Sequence, residues 1–253
     1  MTISLSSLIT AIFVGGVAGY LGSLMLTKRM ALVGDALGHV ALPGMGLALL
    51  WGINVSVGAF IFLLMGILLV WFLETRTELP TETLVGIVFV LSLAIGFLIT
   101  PEPELLHALV GDISKVSLVD AALSVFFSIL TVMVVRKIYQ RIILASISED
   151  LAAANKINIK KYNLIYLLAI AVIVALGVKV VGSLLIGALV IVPAASSRNI
   201  SQNMRQYVFG SAFLGILSCV FGIVLFKITG FPAGPLIILT SVFFFIISLI
   251  FKR

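Results

Sequence analysis

The stretch Arg29–Gly52, RMALVGDALGHVALPGMGLALLWG, decides how the rest of the chain is read. From Ala31 to Leu50 it is long and apolar enough for a membrane-spanning helix, yet it carries Asp35 and His39 four residues apart. An ionisable pair inside an apolar run is expensive, about 2.5–3.5 kcal/mol for a central Asp on insertion scales. The pair therefore needs a partner, a wet cavity or a task.

Similar apolar runs recur to the end of the chain. Of its 253 residues, 62% are hydrophobic and 10% charged, whereas a soluble domain carries about 25% charged residues. The fold class is all-α, a polytopic transmembrane bundle. Spans are expected near Ser4–Leu26, Ala31–Leu50, Val55–Leu73, Thr83–Ile99, Leu118–Val135, Leu164–Val178, Val181–Ala195, Tyr207–Phe226 and Pro235–Phe251. The sixth and seventh are short, about 22 Å against a ~30 Å core, and could be half-spans or a hairpin around VKVVG. The segment PEPELLHALVGDIS could dip back into the membrane. The N-terminus lacks a basic leader and reads as a first span, and residues 1–253 leave no room for a separate soluble domain.

Lys and Arg set the orientation. With Lys28 and Arg29 inside, thirteen of the 16 basic residues fall inside, and Lys115, Lys179 and Lys227 fall outside. The net charge of +6 is thus explained by loops that flank spans, not by nucleic acid. Nine crossings with the N-terminus out fit best; eight with a re-entrant segment is the alternative. The lone Cys219 lies in an apolar run and reads as packing.

The longest hydrophilic stretch, near 136–163, is on the inner side. Within it SISEDLAAANKIN reads as a short helix, with Ser148 as N-cap, Glu149 and Asp150 at the positive end of the dipole and Asn155 as a stop. Such a helix is either a solvated connector or a grip for a cytosolic partner. No phosphate-cradling G-x-x-x-x-G-K-[ST], no H-E-x-x-H and no G-x-S-x-G is present. The chain is not expected to be an enzyme; any ATP hydrolysis would fall to a partner chain.

Asp35 and His39 share one helix face, roughly 9 and 15 Å in from Arg29. Pro43 has no N–H, so the His39 carbonyl should lose its helical donor. Gly34 and Gly38 form a G-x-x-x-G step that lets another helix come close. Carboxylate, imidazole and carbonyl suit a divalent cation. A satisfied structural pair and a proton relay are the alternatives. One helix offers few ligands, and a second copy across a two-fold axis would double them.

KRMALVGDALGHVALPGMGLALL resembles the second-span signature of permeases in zinc and manganese ABC importers. ETLVGIVFVLSLAIGFLI, LLHALVGDISKVSLVD, VKVVGSLLIGALVIVPAASSR and TGFPAGPLIILTSVFFFIISLIF resemble the same family in the same order, over essentially the whole chain. The resemblance implies a homodimeric permease in a prokaryotic plasma or inner membrane. It implies a cytosolic ABC ATPase as partner and an extracellular or periplasmic metal-binding protein. It also implies a transported zinc or manganese ion, with ATP on the partner subunit and no permanently bound cofactor. Asp35 and His39 match the family's intramembrane metal positions, and Glu149 and Asp150 fall in its ATPase-contacting segment. His107 and Asp112 are weaker outer-side candidates. Rival readings are a proton- or cation-coupled secondary transporter, a permease for a siderophore or cobalamin, and a membrane scaffold.

Overall fold

A computed structural model describes residues 4–100 and 109–251. In chain order the helices are α1 (Leu5–Thr27), α2 (Ala31–Val40), α3 (Leu42–Leu50), α4 (Val55–Arg76) and α5 (Thr81–Ile99). A 3₁₀ turn at Ile113–Lys115 follows, then α6 (Leu118–Ile147), α7 (Glu149–Ala154), α8 (Ile159–Val181), α9 (Ile186–Ile200), α10 (Met204–Thr229) and α11 (Ala233–Ile250). Polar side chains start many of them. Ser4, Asn54, Asn158 and Asn203 accept from backbone N–H groups of the first turn, and Ser117 forms a reciprocal capping box with Asp120. Gly230, at φ 75°, closes α10 in the left-handed conformation.

Among the described residues, eight segments are long and apolar enough to cross a membrane, with α2 and α3 together forming one. The 15-residue α9 is the short apolar element between them. Direction alternates at every step. Ser6 and Ser7 of α1 donate to the carbonyls of Val116 and Ile113, and Gly234 of α11 lies against the carbonyls of Val110 and Val181. At the opposite end Asn199 of α9 donates to Ser248 of α11 at 3.0 Å. Among the described residues, eight spanning segments and the shorter α9 thus alternate in direction, and the start of α1 and the end of α11 lie at opposite faces. The basic residues place the first helix's start outside.

Burial sorts the helices into two groups. The spanning windows of α1, α2–α3 and α8 are 67%, 72% and 67% buried, while those of α4, α5, α6, α10 and α11 run from 28% to 39%. The outer group is apolar all round, as lipid-facing helices are. Small residues draw the two groups together. A Cβ on Gly15 would lie 2.8 Å from the Gly215 carbonyl oxygen, and one on Gly19 would lie 2.2 Å from that of Ser211, so α1 and α10 meet backbone to backbone. Cys219 is buried at the same seam.

Four of the expected spans differ in the structure, one of them the seventh, expected at Val181–Ala195 and found as α9 at Ile186–Ile200. The fifth span does not stop at Val135: α6 runs 12 residues further, to Ile147, so much of the supposed inner loop is helix. The sixth is not short, because Asn158 caps α8 and Ile159 to Asn163 join it. The second is two helices, broken at Ala41 just before Pro43, which sits in the first turn of α3.

Candidate functional site

The corner between α1 and α2 is tight. Arg29 adopts φ 58° and Met30 N–H donates to the Met25 carbonyl at 2.9 Å, which folds α2 back along the bundle. α2 then shows two faces. Gly34 and Gly38 are buried; a Cβ on Gly38 would sit 2.5 Å from the Ser183 carbonyl oxygen and 2.9 Å from the Ile186 side chain. The expected close approach therefore comes from within the chain, from the start of α9. Asp35, Ala36 and His39 are half-buried, and Leu32, on the same stripe, is 67% exposed.

His39 is held on two sides. Its Nδ1 lies 3.0 Å from the Asp35 carbonyl oxygen, and its ring meets Phe89 of α5 edge-on, centroids 5.3 Å apart. A carbonyl only accepts, so Nδ1 is the donor of this bond, and in the neutral ring that leaves Nε2 with the lone pair. A neutral imidazole with one nitrogen anchored and the other open is the form that binds a metal. The Asp35 carboxylate has no hydrogen-bond or ion-pair partner among the described residues. Its backbone is fixed by α9, since a Cβ on Gly187 would lie 2.4 Å from the Asp35 Cα. The His39 carbonyl, expected to lack a donor, receives the Ala41 N–H as the chain turns from α2 into α3.

No three His, Cys, Asp or Glu side chains gather among the described residues, so Asp35 and His39 stand as a pair. His107 lies outside the described residues. Asp112 caps the 3₁₀ turn, accepting from Ser114 N–H at 3.0 Å and its hydroxyl at 2.6 Å, while its own N–H donates to the Lys179 carbonyl. Glu149 and Asp150 open α7, where Ser148 accepts from Leu151 N–H at 3.2 Å. The left-handed residue that ends this helix is Lys156, at φ 55°, one past the expected Asn155.

Sequence reading missed Gly187 and Ser183, although both lie in the stretch VKVVGSLLIGALVIVPAASSR. It also missed an inner polar knot around Glu74, which is buried at the end of α4. Glu74 accepts from Thr81 at 2.9 Å and from Asn163 at 3.4 Å, and its carbonyl accepts from Lys160 at 2.7 Å. Lys28 donates to Asn163, and burial pushes its pKa down to about 8 against the upward pull of Glu74. An acid near a helix end carries no signal of this kind, because its four partners come from three other parts of the chain.

The sequence profile of the ABC 3 transport family matches residues 2–252. The chain belongs to that family. It is 31% identical over 253 residues to the high-affinity zinc uptake system membrane protein ZnuB of Haemophilus influenzae, covering 98% of this chain and 96% of that one. It is 30% identical over 247 residues to the manganese import system permease protein ScaB of Streptococcus gordonii, covering 96% and 89%. Its structure superposes on PsaBC from Streptococcus pneumoniae, solved in complex with a Fab, with a TM-score of 0.83 and 28% identity over 96% of this chain and 89% of that one. The chain is thus a multi-span permease of the bacterial inner membrane, a transporter component rather than an enzyme.

Proposed function

We propose that two copies of this chain form the channel of an ATP-driven importer for a divalent transition metal ion, manganese or zinc, with Asp35 and His39 as its intramembrane way-station. The supporting observation is the half-buried stripe of α2, with a carboxylate that has no hydrogen-bond or ion-pair partner among the described residues, one helical turn from an imidazole anchored through Nδ1. Relatives named for manganese and for zinc support the class of cargo. Across a two-fold axis the pair becomes two carboxylates and two imidazoles, a set that suits tetrahedral zinc and, with carbonyl or water added, manganese. Asp35 supplies the charge that draws the cation in. His39 discriminates against calcium and magnesium, which prefer all-oxygen shells. Two or so ligands per copy also hold an ion weakly enough to release it.

The reading includes a cytosolic ABC ATPase gripping α7 through Glu149 and Asp150, and an external metal-binding protein that delivers the ion. Membership in an ABC transport family favours this over proton coupling. The test is radiotracer uptake of manganese and zinc in vesicles, with the ATPase present or absent, normalised to folded dimer. Asp35→Asn and His39→Ala should each abolish uptake while expression, dimer formation and ATPase binding persist. Normal uptake by a well-folded double variant ends the proposal, and uptake that follows a proton gradient without the ATPase replaces it.

A further inference from the structure

A groove of about 840 Å³ lies between α1, α6 and α10. None of its lining residues comes from α2, α5 or α9, so it is separate from the Asp35–His39 face. Ile12, Phe13, Val132 and Ile216 form apolar walls. Apart from the buried Ser128, the polar lining gathers at one end. Tyr20 lies eight residues beyond Ile12 on α1, Arg136 and Tyr139 lie on the inner half of α6, and Arg205 is in the first turn of α10. α10 runs antiparallel to α1 and α6 runs with it, which brings all four to the inner side. Both arginines are exposed, and no acidic residue lines the groove.

We propose that this groove holds one anionic phospholipid of the inner leaflet, its acyl chain along the apolar walls and its phosphate at Arg136 and Arg205. The dimensions agree. Ile12 to Tyr20 spans about 12 Å of helix, close to half of a ~30 Å hydrocarbon core. Guanidinium groups match phosphate oxygens in a planar, two-pronged way, and tyrosine hydroxyls at headgroup level add donors. Basic pockets between spanning helices on the cytoplasmic side suit acidic headgroups. A second copy of the chain fits poorly, because a two-fold contact here would set Arg136 and Arg205 of one copy against the same arginines of the other. The occupant is a lipid and not free phosphate, since most of the groove is apolar.

Native mass spectrometry of the purified full chain, titrated with phosphatidylglycerol or phosphatidylcholine, tests this. Phosphatidylglycerol should bind more tightly by about fivefold for each arginine, roughly 25-fold in all. Arg136→Gln with Arg205→Gln should erase the preference, and the paired Lys substitutions should keep most of it. Val132→Trp, which fills the apolar part, should remove one bound lipid of either kind. If the Gln pair fails to fold, the preference of the parent chain decides. Equal binding of the two lipids by the parent overturns the proposal, as does a parent dimer that takes up no lipid, or displacement of phosphatidylglycerol by inorganic phosphate.

Discussion

Two neighbours restrain the His39 ring, and only one of them is near in sequence. The Asp35 carbonyl fixes the tautomer from four residues away. Phe89 fixes the tilt from another helix, and an edge-to-face contact of this kind is worth about 0.5–1.5 kcal/mol. Phe89→Leu should therefore lower the initial rate of metal uptake roughly two- to tenfold at limiting metal, with little effect at saturation. A rate reduced equally at all metal concentrations would show that Phe89 acts elsewhere. The contrast marks what can be read from sequence at this scale. Asp35 and His39 stand out because an ionisable residue in an apolar run has no cheap explanation. Phe89 is one of 17 phenylalanines, and nothing local separates it from those that face lipid.

Helices rather than side chains hold Asp35 in register. α9 presses against α2 at Gly187, where an added methyl group would meet the Asp35 Cα at 2.4 Å and its Cβ and N at 2.7 Å, atoms that cannot swing aside. Gly187→Ala should shift α2, reduce stability by about 1–3 kcal/mol and cut uptake per folded molecule. Thermal unfolding in detergent alongside vesicle uptake checks this, and a variant with normal uptake would separate Asp35 from the α9 contact. At the inner face α7 is six residues long and follows directly on α6. Ala153→Pro should disrupt it at about 3 kcal/mol of helix and uncouple ATP hydrolysis from uptake, with the spanning helices intact. Hydrolysis still matched to transport would reduce α7 to a connector. Element identity was legible from hydropathy, and the cap at Ser148 from its side chain. The length of α6 was not, because a span and its solvated extension share one continuous helix and polarity marks only where the membrane ends.

Across the whole molecule, the knot at the inner face joins α1, α4, α5 and α8 through Lys28, Glu74, Thr81, Lys160 and Asn163. Lys28 has a folded pKa of about 8 against 10.5 for the free side chain. Below about pH 8 both states carry its proton, and the folded state bears the penalty of a buried charge. Between about 8 and 10.5 the unfolded chain binds more protons than the folded one, so stability rises with pH across that window. The unfolding temperature of the parent relative to Lys28→Met should rise from pH 7 to pH 10, and a constant difference would refute it. The order of the helices was legible because the positive-inside count and the apolar runs agree. The knot was not, since it depends on which ends meet, and orientation alone does not give that.

α9 has a consequence for how the protein is made. It carries Pro193 and Arg198 and, at 15 residues, is short for a ~30 Å core. At its start the backbone leaves the helix at Gly182 and is satisfied from elsewhere: Leu184 N–H donates to the Leu109 carbonyl at 3.2 Å. Unpaired backbone at membrane depth is tolerated only when buried in protein. An insertion channel that sorts segments one at a time has little reason to retain α9 alone. It should enter the bilayer as a hairpin with α8, after α1 and α2 are already in place to receive it. A topology reporter fused after Asn203 should report an inserted α9 in the chain from Met1. With α6 to α8 deleted together, so that α9 still starts on the outer side, α9 should slip out to one side. Independent insertion of α9 in that shortened chain would place its assembly on its own hydrophobicity instead.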